Sequence, residues 1–177
     1  LYRNHGSACL MTPKVVDLPV QEKSKINSEQ KLKIARLADS LIDDDDSIIM
    51  TSGSTIESMA LNLTSHGRLN VVTPSIRVGV YLSDKENVDI MMLGGRLVVK
   101  SLSVRDSYTQ DGLKYVNCSK MFCSCDGLDV EAGVTTAFVE EARITDAMMN
   151  TASKIILLAD SSKIGKFFFL GTLKTNT

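Results

Sequence analysis

Four consecutive small residues, Ser52-Gly53-Ser54-Thr55, stand between a short apolar run and an amphipathic stretch. The order reads as strand, loop and helix, and a helix N-terminus offers free backbone N–H groups and the positive end of its dipole to an anion. Gly53 lets the backbone come close to a guest. The hydroxyls of Ser52, Ser54 and Thr55 add donors, so the chemistry indicated is phosphate binding. An ordinary capped βα loop uses the same residue types, so this stretch alone does not choose between the two. No Gly-Lys-Ser/Thr of a Walker loop is present, nor the G-x-G-x-x-G of a dinucleotide site.

Other loops that follow expected strands carry similar atoms: Thr73-Pro74-Ser75, Gly94-Gly95-Arg96, Asp126-Gly127 and Asp160 to Lys163. In an open parallel sheet such loops gather at one edge, where ligands bind. Lys163 could neutralise a phosphate or polarise a hydroxyl there, and Glu140, Glu141 and Arg143 could face a polyol. Each of these charges, taken singly, reads as a solvated surface residue. The run Asp43 to Asp46 lacks the glycine and distant glutamate of a calcium loop and reads as a solvated turn. Cys9, Cys118, Cys123 and Cys125 have no zinc-type spacing and read as reduced thiols. Neither His5 nor His66 is placed like a catalytic base, and no metal or cofactor is indicated.

These residues need a scaffold. Leu32, Ala35, Leu37, Ala38, Leu41 and Ile42 approximate one stripe of an amphipathic helix. Ser47 to Met50 reads as a strand, and Ser54 with Glu57 fits a capping box that opens the next helix. The unit repeats as a strand over Leu69 to Val72, a helix over Ile76 to Leu82 and a strand over Val88 to Leu93. Residues Arg96 to Val116 are less regular, and Gly112 argues against one long helix there. Ser119 to Ser124 reads as a strand, Asp126 to Asp129 as a turn, Thr136 to Thr151 as a helix and Lys154 to Ala159 as a buried strand. This alternation predicts an α/β fold, a mainly parallel sheet with flanking helices. Residues 1–28, aperiodic and carrying Pro13 and Pro19, read as an arm or linker, and 29–177 as the α/β domain.

The composition bounds what this domain can do. Twenty Lys+Arg against 21 Asp+Glu give a net charge of −1, which is not the footprint of a nucleic-acid-binding surface. No apolar run reaches the ~18–20 residues of a membrane span, and no signal segment opens the chain. The chain reads as soluble and cytoplasmic.

The order of motifs resembles the DeoR family of bacterial transcriptional regulators, in its C-terminal sugar-phosphate-sensing domain. Arg3-Asn4-His5-Gly6-Ser7-Ala8 is similar to the stretch that closes the family's winged helix-turn-helix, and Lys31 to Ala38 to the first sensor helix. Thr51-Ser52-Gly53-Ser54-Thr55 looks like the family's phosphate loop, and Val72 to Ser75 and Leu93 to Gly95 match the next two strand exits. Glu141 to Met148, with Ala159-Asp160-Ser161-Ser162-Lys163-Ile164-Gly165 after it, resembles the glutamate-bearing helix and the Asp-Ser-Ser-Lys-Phe-Gly signature.

The resemblance implies a fold shared with ribose-5-phosphate isomerase, glucosamine-6-phosphate deaminase and coenzyme A transferases, used to sense a phosphorylated sugar. Ser52 to Thr55 would hold the phosphate. Thr51, Thr73, Ser75, Gly94, Gly95, Asp126 and Glu141 would line the sugar, and Lys163 would close the site. Thr51 stands where the family usually has Asp, and Arg105-Asp106 near a usual Gly. The winged helix would lie upstream and carry the DNA contact, the domain would be cut short at its C-terminal end, and the assembly would be a homodimer or homotetramer. An isomerase or deaminase acting through Glu141 and Lys163 is the alternative expectation. A third is an interaction module in which the loop only caps a helix.

Overall fold

The computed structural model describes residues 2–4, 7–9, 18–64 and 67–173, with backbone alone for 2–4, 7–9, 172 and 173. His5, Gly6, Pro13, His66 and residues 174–177 lie outside the described residues, as does the side chain of Cys9.

Two short strands, β1 (Tyr2–Asn4) and β2 (Ser7–Cys9), pair antiparallel with Arg3 opposite Ala8. Then come α1 (Val20–Lys25), α2 (Ser28–Asp39), β3 (Ser47–Met50) and α3 (Ser54–Leu61), followed by β4 (Leu69–Thr73), α4 (Ile76–Ser83) and β5 (Val88–Met92). The segment read as irregular holds β6 (Leu97–Val98) and β7 (Ser103–Val104), which pair with each other, and the short helix α5 (Ser107–Leu113). The chain continues through β8 (Cys118–Cys123), β9 (Gly127–Asp129), β10 (Gly133–Thr136), α6 (Val139–Met149) and β11 (Ala152–Leu157). A 3-10 turn at Ser161–Lys163 and β12 (Leu170–Leu173) complete it.

Five strands form a parallel sheet in the order β11-β8-β3-β4-β5, as the β/α alternation requires. The central strands are apolar on both sides because helices cover both faces. Ile48, Met50, Val71 and Phe122 pack with Ala35 and Ala38 of α2, Ile56 and Met59 of α3 and Leu82 of α4. On the opposite face Ile49, Val72 and Met121 pack with Leu113 of α5 and with Ile144 and Met148 of α6.

Several expectations from the sequence are corrected. The capping box of Ser54 and Glu57 does not form, because Gly53 is the N-cap of α3 and no side chain caps it. Glu57 is instead buried, and both its carboxylate oxygens lack a hydrogen-bond partner, with Arg77 Nε at 3.4 Å from Oε2. The run expected as a buried strand near Lys154 forms β11 at the sheet edge, where Lys154 and Ile155 face solvent. The helix expected from Thr136 begins at Val139, since Gly133–Thr136 joins a small antiparallel sheet, β12-β10-β9. Within the aperiodic N-terminal segment, α1 packs on α3, buries Val20 and donates the Val20 N–H to Lys100 O at 2.8 Å. Asp46 belongs to no solvated turn: it is buried beside Lys120. Among the described residues no helix is long and apolar enough to cross a membrane.

Candidate functional site

The order of the sheet reverses at β3, whose neighbours are β4 on one side and β8 on the other. Loops leaving β3 and β8 therefore flank a crevice, the place where open α/β sheets bind ligands. The two loops are tied there by Ser124, whose Oγ donates to Ser52 O at 2.9 Å. Gly53 turns the chain into α3 at φ +123°, and a Cβ at that position would fall on Ser124 Oγ. Only glycine combines that backbone with that contact. The Gly53 carbonyl accepts the Glu57 N–H at 2.9 Å, so the N–H groups of Ser54, Thr55 and Ile56 have no acceptor within the helix.

These donors open onto a cavity of about 60 Å³ lined by Ser52, Gly53, Ser54, Thr55, Asp126, Glu141 and Lys163. Lys23, Lys100, Arg105 and Ser124 contribute to its wall as well. A second cavity of about 200 Å³ adjoins it, sharing Lys23, Ser54, Asp126 and Lys163 and adding Asn27, Lys31, Asp160 and Lys166. Six cationic side chains thus surround the crevice against three carboxylates, Asp126, Glu141 and Asp160. Such an excess favours an anion.

The carboxylates are not equivalent. Burial pushes the Glu141 carboxyl above the usual range; Arg105 opposes the shift and Asp126 adds to it. Its side chain is still 31% exposed, so it lies deep in the crevice but looks into it. Burial would also raise Asp160, but hydrogen bonds from Ser162 and Asn27 and the Lys163 charge outweigh it and hold the carboxyl below the usual range. Lys31 is buried and donates to Ile26 O at 2.6 Å and to Lys23 O, holding the end of α1 against the crevice. Burial pulls its pKa down, with Asp160 opposing and Lys163 assisting. The thiols of Cys118, Cys123 and Cys125 are pushed up by burial to about 11, 12 and 11, so they are protonated at neutral pH.

Of the site residues expected from sequence, Ser52, Gly53, Ser54, Thr55, Asp126, Glu141 and Lys163 converge on one cavity. Thr51 lies behind it, in a smaller space of about 20 Å³. Thr73, Ser75, Gly94 and Gly95 line neither of the two main cavities. Thr73 and Ser75 are fully buried: Thr73 Oγ1 accepts from Ser75 N at 3.1 Å, and Ser75 Oγ caps α4 by accepting from Val78 N. Gly94 O accepts from Thr109 Oγ1 at 2.8 Å, and Gly95 takes φ +137° to turn the chain beside Asp106. Sequence reasoning missed Lys23, Lys100, Ser101 and Ser124 as lining residues, and singled out Arg105 only for standing near a usual Gly of the family. Ser124 alone had a readable signal, its place at the exit of an expected strand.

Known proteins resemble this chain at two levels, family and fold. Residues 26–177 match the family model described as the DeoR C terminal sensor domain. The chain belongs to that family. A transcriptional regulator of Bacillus subtilis, YulB, is 33% identical to this sensor domain over 93% of the chain and 64% of its own length. The lactose phosphotransferase system repressor of Lactococcus lactis is 30% identical over 94% of the chain and 66% of its own. The sensor domain thus spans a little under two thirds of these relatives. Ribose 5-phosphate isomerase A from Neisseria gonorrhoeae superposes with a TM-score of 0.57 at 15% identity, covering 77% of this chain and 53% of that one. That likeness shows the fold alone, and the fold expectation is met. The alternative of an isomerase or deaminase is set aside, because the family is a sensor family and the relatives are named as transcriptional regulators.

Proposed function

We propose that this sensor domain binds a phosphorylated sugar in the crevice between β3 and β8, with Ser52 to Thr55 on the phosphate and Asp126, Glu141 and Lys163 on the sugar. The carrying observation is the N-terminus of α3, which no side chain caps and which opens into a cavity where cations outnumber carboxylates two to one. Three convergent N–H groups and hydroxyls at a helix start suit a phosphate dianion. The name of the lactose phosphotransferase system repressor ties one relative to a sugar system, which supports the same reading. In the whole protein, residues 1–28 would join 29–177 to an upstream winged helix that contacts DNA. The regulator would act in the cytoplasm as a homodimer or homotetramer and repress genes of sugar metabolism.

Thermal melting tests the ligand. Phosphorylated sugars raise the melting temperature and their unphosphorylated parents do not, and Gly53→Val abolishes the shift. A broad panel of sugar phosphates giving neither a shift nor heat of binding would sink the reading.

A further inference from the structure

Helix α1 precedes residues 26–177, the stretch that matches the sensor-domain family, yet its segment walls the crevice. Leu18, Val20 and Lys23 line the cavity of about 60 Å³, and Leu18, Lys23, Ile26 and Asn27 line the one of about 200 Å³. We propose that α1 is part of the effector site: Lys23 binds the phosphate together with the N-terminus of α3, so that an occupied crevice clamps the connection to the N-terminal part of the chain. This rests on the sugar-phosphate reading above.

A helix of six residues has little stability of its own, and this one has no side-chain cap and one buried residue, Val20. Its place depends on ties to its surroundings. Val20 N donates to Lys100 O at 2.8 Å, Lys31 Nζ donates to Ile26 O at 2.6 Å and to Lys23 O, and Asn27 Nδ2 donates to Asp160 Oδ1 at 3.1 Å. Lys23 Nζ stands 3.5 Å from Asp126 Oδ1. Lys100, Lys31, Asp160 and Asp126 all line the cavities. The segment is therefore fastened to the walls of the site, and whatever fills the site acts on its fastenings.

Lys23 brings the charge of this segment to both cavities. Its pair with Asp126 is long, with side chains 32% and 21% exposed, the kind of ion pair that contributes little in water. A phosphate is a stronger partner, because it carries close to two charges and three acceptor oxygens and is shared with the N–H groups of Ser54, Thr55 and Ile56. Through the ligand, Lys23 joins α1 to the first turn of α3, across the contact that the two helices already make. Occupancy then opposes local opening of α1, and the chain before it loses the same freedom.

Amide hydrogen exchange on the 177-residue chain tests this, with fructose 6-phosphate and with inorganic phosphate at saturation, against chloride at equal ionic strength. Exchange in residues 20–26 slows by about fivefold or more with either phosphate, alongside the start of α3. Lys23→Met weakens fructose 6-phosphate binding by about tenfold or more in titration calorimetry, and at renewed saturation leaves less than roughly twofold slowing in 20–26 while α3 stays protected. Lys25→Met, on the same helix but paired within it to Glu22 and outside both cavities, leaves affinity and slowing within about twofold of wild type. A Lys23→Met variant that melts earlier but keeps its dissociation constant within twofold has lost only structure, and overturns the proposal. An equal loss in Lys25→Met overturns it as well. So does slowing at α3 without slowing at 20–26 in the wild type, a result that needs no variant to fold and leaves the sugar-phosphate reading standing. No slowing anywhere and no heat of binding with either phosphate overturns that reading itself.

Discussion

At the amino ends of β3 and β8, Asp46 Oδ1 accepts from Ser119 Oγ at 2.6 Å and its Oδ2 from Lys120, which also donates to Asp43 Oδ2 at 2.6 Å. At the carboxyl ends of the same strands, the N–H groups that open α3 have no acceptor among the described residues, and cations gather around them. One end pairs its buried charges among themselves; the other leaves donors pointed outward. The contrast separates residues that hold the fold from residues proposed to meet a ligand, although both sets are polar and both sit beside buried apolar strands.

The largest effect expected at the closed end is that of Lys120→Met. Removing one partner of a buried ion pair costs about 3 kcal/mol, or roughly 6–12 °C of melting temperature for a chain of this size. The stabilisation by a sugar phosphate should survive. A variant that loses the ligand shift along with stability would erase the distinction between the two ends. Gly53→Val should do the reverse: total loss of the ligand shift, with about 1–3 kcal/mol of destabilisation from the strained φ and the contact with Ser124.

Acidity sharpens the comparison. Burial opposes it, but hydrogen bonds from Lys120 and Ser119 hold Asp46 below its ordinary pKa, so its contribution to stability is present above about pH 4 and is lost as pH falls through the lower folded value. The deficit of Lys120→Met should therefore shrink between pH 6 and pH 3.5, as Asp46 takes up a proton. A pH-independent deficit in melting curves would assign the loss to packing. Glu57 carries the opposite sign. Burial raises its pKa, with Arg77 and Lys31 opposing, so it favours the folded state while protonated and loses that contribution as pH rises through the folded value. Relative to wild type, Glu57→Gln should gain stability from pH 4 to pH 7.

The smallest effect is that of Ser124→Ala, which removes the tie to Ser52 O for about 1 kcal/mol. It should weaken sugar-phosphate binding severalfold in calorimetry without abolishing it, since the helix N–H groups remain.

Much of this was legible in the sequence, for reasons tied to distance along the chain. Ile48, Ile49 and Met50 announced a strand buried on both faces, and Ser52 to Thr55 followed within two residues. Local order of that kind is what periodicity reports. The pairing of Arg105 with Glu141 spans 36 residues, and that of Lys120 with Asp46 spans 74; neither leaves a local pattern. Thr73, Ser75 and Gly94 mislead because hydroxyls and glycines at strand exits suit ligands as well as caps and turns, and here hydrogen bonding uses them for the latter. Helix α1 was invisible because Val20 is its one buried residue, too little for an amphipathic stripe.

The unfilled cap of α3 has a thermodynamic corollary. A serine or aspartate cap would have stabilised the helix by about 1 kcal/mol regardless of the surroundings. With glycine at that position, the proposed anion would make part of the domain's stability a function of solution composition, because a ligand bound only by the folded state adds RT ln(1 + [L]/Kd). At a hundredfold excess over Kd that is about 2.7 kcal/mol. If the proposed effector binds there, the melting temperature of the domain would be a gauge of its concentration, graduated by the affinity of a single turn of helix and the lysines around it.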